Sequence, residues 1–119
     1  MSQNFQPGDF LIFQLEAGFA LLRVLAVDET EGDTVWHVAG YNEYFLDVDM
    51  ADAALENPGA LTVSHPHIAL TNRAFESTQV ARMTNVALTD EELTGLQEWR
   101  SQPAPEVSDR SVRLMLGLR

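Results

Sequence analysis

His65-Pro66-His67 sets two imidazoles two residues apart. On a β-strand that spacing puts both rings on one face, an arrangement used by some metal sites. The proline between them favours a turn, and no carboxylate or third histidine stands close in sequence. Only His37 could complete the group through the fold, so the pattern predicts ordinary surface histidines rather than a metal centre. Asp47-Val48-Asp49-Met50-Ala51-Asp52 spaces its carboxylates as a calcium loop does, but the sixth-position glycine and the distal bidentate glutamate are missing. Helix capping and a solvated acidic face are what remain for it. Ser64, Ser77, Ser101, Ser108 and Ser111 never fall in a G-x-S-x-G elbow, and there is neither a P-loop nor a G-x-G-x-x-G run. The chain has no cysteine, which removes disulfides, thiolate zinc sites and cysteine nucleophiles together. No catalytic residue, metal ligand or cofactor is assigned, and the expectation is binding rather than catalysis.

A binding surface has better material in Trp36, His37, Tyr41, Asn42, Glu43, Tyr44 and Phe45, which run into the acids at 47–52. Aromatics beside carboxylates suit a hot spot for a basic protein, and the candidate partner-binding residues are Trp36, Tyr41, Glu43, Tyr44, Asp47, Asp49 and Asp52. A small domain must also bury most of its large aromatics, so Trp36 and Phe45 compete for places in the core. Charge points the same way as the candidate surface. Eighteen acids against seven bases give −11, and all seven bases are arginine. Residues 1–60 hold eleven of the acids and a single arginine. Such a field repels nucleic-acid phosphates and anionic lipid, which leaves a cationic protein as the partner to expect. Arg23, inside an apolar stretch, and Arg73 are expected to pair with carboxylates.

Stepping along the chain, Gln6-Pro7-Gly8-Asp9 is turn chemistry, and Phe10 to Leu15 is apolar on both faces, as a strand covered on both sides would be. Glu16-Ala17-Gly18 supplies a hairpin loop, with glycine expected to take a left-handed conformation, before a second strand from Phe19 to Val27. An acidic turn at residues 28–33 leads to a third strand, Thr34 to Tyr41. Asp47 or Asp49 caps a short helix through Leu55 that Asn57-Pro58-Gly59 ends. Leu61 to Ser64 and Ile68 to Thr71 read as short strands, and residues 72–86 as mixed turn and strand. Thr89-Asp90-Glu91-Glu92 is a capping box for a helix reaching about Ser101, with Leu93, Leu96 and Trp99 along its buried stripe. In the tail, Ser108 as a cap and Gly117 as a terminator favour a helix over a strand.

At 119 residues the chain is a single domain, residues 1–119, able to bury about two-thirds of its unfolded surface. Its longest apolar run, Phe19 to Val27, is interrupted by Arg23 and falls well short of the ~20 residues that span a bilayer. The expectation is a cytoplasmic α+β protein: a small antiparallel β-rich SH3-like barrel or meander with one or two appended helices. The opening Pro7-Gly8-Asp9-Phe10-Leu11-Ile12-Phe13-Gln14-Leu15, then Gly18-Phe19-Ala20 and Arg23-Val24-Leu25, resembles the start of the bacterial immunity-protein-26-like family. The resemblance covers residues 7–27 and implies an SH3-like barrel that neutralises a toxin by binding it. Two other classes are carried beside it. One is a small-molecule or metal-binding domain, hydrolytic in its extreme form, that uses His37, His65 and His67. The other is a homo-oligomer joined through the apolar faces of residues 10–27.

Overall fold

The computed structural model describes residues 4–115 and folds them around one antiparallel sheet with short helices on both faces. Strands β1 (Asp9–Gln14), β2 (Phe19–Thr30) and β3 (Asp33–Phe45) form the expected meander. Helix α1 (Val48–Ala54) and a 3-10 turn at Pro58–Ala60 lead to β4 (Val63–Thr71). Then come α2 (Asn72–Glu76), β5 (Ala81–Asn85), α3 (Thr94–Arg100) and α4 (Val112–Met115). The strand order is β4-β3-β2-β1-β5. With β4 and β5 at opposite edges the sheet stays open, so the meander is realised and closure into a barrel is not. Part of the β4 edge is covered by a passing segment instead: Ser108 N–H donates to Ala69 O and Thr71 N–H to Ser108 O.

Strand alternation sorts the side chains into two populations. Leu11, Phe13, Leu22, Val24, Trp36, Val38, Ile68 and Leu70 enter one core, which α2 covers with Ala74 and Phe75 and α4 with Val112. Trp36 stacks on Phe75, centroids 4.0 Å apart. The opposite face carries Phe10, Ile12, Leu21 and Tyr41 under α1, and Leu25 and Ala39 under α3. Because β1 and the first part of β2 are buried on both sides within the chain, residues 10–25 have no free apolar face to offer a second copy.

Several local expectations change for identifiable reasons. Gly18 is not left-handed; positive φ belongs to Gly8 and Gly32. Its glycine answers a close approach, since a Cβ there would meet Phe45 O at 2.4 Å. The acidic stretch at 28–33 turns only at Glu31-Gly32, and its flanking residues continue the β2–β3 ladder to the pair Thr30–Asp33. Pro66 does not break the chain into two strands. It lies in edge strand β4, where the register shifts between the pairs Val38–Ile68 and Gly40–His65, and an edge tolerates the missing donor. Residues 72–86 contain a helix as well as a strand, because Thr71 caps α2 by accepting from Ala74 N–H. Asp47 is the cap of α1, accepting from Met50 N–H at 2.8 Å. The capping box forms between Thr89 and Glu92 in both directions, yet a turn intervenes and the helix proper starts at Thr94. Ser108 joins β4 rather than capping the tail helix, and Ser111 Oγ accepts from Leu114 N–H in its place. Gly117 lies outside the described residues.

Candidate functional site

Arg23 leaves β2 on the second face, between the parts of the core that α1 and α3 cover, and is almost fully buried. Its Nε and Nη2 donate to the two carboxylate oxygens of Glu92, at 3.0 and 3.2 Å. Nη1 donates to Gly8 O at 2.6 Å and Nη2 to Ala87 O at 3.3 Å. The guanidinium lies 4.2 Å from the centroid of the Phe10 ring. Four of its five donors are therefore engaged, and the expected carboxylate pairing is found. Burial would raise the pKa of Glu92, but the hydrogen bonds from Arg23 and Thr89 outweigh it and hold the carboxyl below its ordinary value. Arg73 pairs with Asp109, as expected in kind.

Beside this pair, a cleft of about 580 Å³ opens between the 3-10 turn and the segment at 86–92. Phe10, Leu25, Ala39, Leu61, Val63, Pro66 and Val86 give it apolar walls, and Arg23, Tyr41, Thr89, Glu91 and Glu92 supply polar groups. Tyr41 is 6% exposed. Its hydroxyl takes no hydrogen bond from any described residue, yet it is not sealed from solvent. Burial, with Glu92 and Glu43 adding to it against the opposing charge of Arg23, pushes its pKa up to about 12. The phenol stays neutral.

A second constellation lies toward α3. His37 Nε2 is 2.9 Å from Asp28 Oδ2, and His37 Nδ1 is 2.9 Å from His67 Nε2. A carboxylate can only accept, so the proton of His37 sits on Nε2, and His67 donates its Nε2 proton to the bare Nδ1 of His37. Arg100 donates to Asp28 Oδ1 at 2.7 Å, and the Trp99 ring stands edge-on to His37. Desolvation lowers both imidazole pKa values. It is partly countered by Asp28 at His37, whereas at His67 the neighbouring His37 and Arg100 add to it and bring the value to about 4. The relay is neutral and fastens α3 to the sheet. His65 stays apart, paired with Ser64 Oγ at 3.0 Å. Among the described residues no three histidines or carboxylates are set to hold a metal, and no hydroxyl hydrogen-bonds either relay ring.

The aromatic and acidic candidates divide between core, cleft and surface. Trp36 is buried in the first core, with Nε1 donating to Asn72 Oδ1. Tyr41 floors the cleft. Glu43 accepts from Thr62 N–H through both oxygens, which more than offsets its burial and lowers its pKa. Tyr44, Asp47, Asp49 and Asp52 are exposed. With them, and missed by the sequence reading, stand Leu46 at 67% exposure, Val48 and Met50. Their signal was present: large apolar side chains placed between helix-capping acids can bury only one side of a seven-residue helix, and Ala51 already takes it. Comparison of the chain with protein-family models, with curated proteins and with solved structures returned no significant match. Among the described residues no helix is long and apolar enough to cross a membrane.

Proposed function

We propose that this protein is a protein-binding module whose face at residues 43–52 receives a basic, amphipathic segment of a partner. One observation carries the reading: Tyr44, Leu46, Val48 and Met50 are all exposed and are interleaved with Asp47, Asp49 and Asp52. Large exposed apolar side chains mark interaction sites when they cluster, and the carboxylates between them select a cationic counterpart. The concentration of acids in residues 1–60 extends that field and favours fast, salt-sensitive association. The resemblance of residues 7–27 to the immunity-protein-26-like family supports a narrower form, in which the partner is a basic toxin masked in the cytoplasm of the cell that makes it. It also relates the β1–β3 meander to an SH3-like barrel.

The test compares the protein with a Leu46→Ser, Asp49→Lys, Asp52→Lys variant, none of whose positions is buried. Both are used to capture partners from host lysate and analysed by native mass spectrometry at low and high ionic strength. The expected result is a basic protein held by the unaltered chain at low salt, released at high salt and never held by the variant. Capture of the same proteins by both chains, or a homo-oligomer alone, overturns the reading.

A further inference from the structure

We infer that the cleft over Tyr41 is a binding site for a small, uncharged, mainly apolar molecule that presents a carbonyl or similar acceptor to the Tyr41 hydroxyl. The inference is independent of the partner face. A volume of about 580 Å³ falls within the range of ligand pockets, and the walls are apolar with few polar groups, as such sites require. Tyr41 is the group that points to a ligand: it is more than nine-tenths buried, has no partner among the described residues, and lines the cleft. A hydroxyl kept neutral and without a protein partner in such a place offers its proton to an acceptor that enters the cleft.

Charge decides the class. Arg23 is no anchor for an anion, because Glu92, Gly8 O and Ala87 O already take four of its five donors and Glu92 balances its charge. Glu91, exposed at the rim, and the net charge of −11 repel anions further. Glu92 is spent on Arg23 and Thr89, so no free buried carboxylate asks for a cation. A neutral ligand meets neither objection.

Three probes of one shape separate these cases: 4-phenylbutan-2-one, 3-phenylpropanoate and 3-phenylpropylammonium, each titrated into the full chain and followed by amide and methyl NMR shifts. The expected result is binding of the ketone, with shifts at Phe10, Leu25 and Ala39 and none at Leu46 or Met50. Tyr41→Phe should weaken the ketone about tenfold, the equivalent of one hydrogen bond to a buried donor. Gly59→Trp should obstruct the mouth; a Cβ there meets only Asn57 Oδ1, at 3.9 Å, so the fold accepts it. Unchanged thermal melting of both variants shows that lost binding is not lost folding. Preference for either charged probe, shifts outside the cleft, no binding by any probe, or ketone affinity unchanged in Tyr41→Phe overturns the inference.

Discussion

Leu22 and Arg23 are neighbours in β2, both almost inaccessible to solvent, and their side chains leave the sheet on opposite sides. Leu22 enters a mainly apolar core closed by α2 and α4, where Trp36 hydrogen-bonds Asn72. Arg23 enters a face that holds every hydrogen-bonded histidine of the relay, the unpartnered Tyr41 and the cleft. The first face is held mainly by area and shape, which act without direction; the second adds a few directed contacts to its own apolar clusters. The histidine relay, the Arg23–Glu92 pair and the cleft thereby gather on one side of the sheet. The second face carries the cleft where its α1-covered and α3-covered clusters meet, whereas the first packs one larger core.

The sharpest way to break this division is to damage each face once and compare. Phe75 is fully buried against Trp36, and Phe75→Ala should destabilise the fold by about 3–5 kcal/mol in urea denaturation. The loss should change little with salt, since Phe75 carries no charge and its ring neighbours are Trp36 and Phe5. Arg23→Met removes a cation, takes the side-chain donor from Ala87 O and leaves Gly8 O with Val86 N–H alone, at an expected cost of about 3 kcal/mol. Glu92, 29% exposed, can turn back to water, so adding Glu92→Gln should change little further. A loss under about 1 kcal/mol for Arg23→Met would mean that the second face tolerates its ion pair rather than depends on it.

Acid separates the faces next. His67 has its folded pKa lowered to about 4 from an ordinary 6.5, so between those values the unfolded chain binds a proton that the folded chain refuses. Its contribution is complete above pH 6.5 and is lost as the pH falls toward 4. The groups facing it are His37, itself lowered, and through His37 the Asp28–Arg100 pair. Urea midpoints measured from pH 7.5 to 4 should fall, and His67→Gln should make that fall shallower by on the order of 1–2 kcal/mol after allowing for solvent around the ring. Below pH 4 the lowered carboxyls take over. Asp9 is the buried one: desolvation would raise its pKa, but hydrogen bonds from Asn85, Gln6 and Arg82 prevail, so its stabilisation is lost as the pH drops through its folded value. A Phe75→Ala deficit that varied with pH across the same window would blur the division.

The first face was largely legible in the residues, because alternation of apolar side chains in Phe10 to Leu15 and Phe19 to Val27 fixes which of them enter one core. The pairing of Arg23 with a carboxylate was legible too, since a charge inside an apolar strand must find its opposite. That the carboxylate is Glu92, 69 residues away, was not, because nothing local ties the capping box to β2. The meeting of His37 with His67 and the separation of His65 turn on a register shift in β4 opposite Ala39. A shift of one residue changes which side chains share a face, and periodicity cannot place it. Tyr41 and Trp36 show the part that periodicity does place: they stand five positions apart on β3, an odd step, so the pleat sends one to the cleft and the other to the apolar core.

Tyr41→Phe is the smallest expected change and the most discriminating. Burying a tyrosine ordinarily requires a partner for its hydroxyl, and removing a satisfied one costs about 1 kcal/mol. Tyr41 has no such partner among the described residues, so phenylalanine keeps the ring packing against Phe10, discards only an unpaired hydroxyl and should leave urea stability within about 0.5 kcal/mol. A residue retained for the fold would not behave that way. A larger loss would place Tyr41 with Arg23 among the groups that hold the second face together. A negligible loss would leave the hydroxyl without a structural task, in a cleft where its remaining use is toward something that enters from outside.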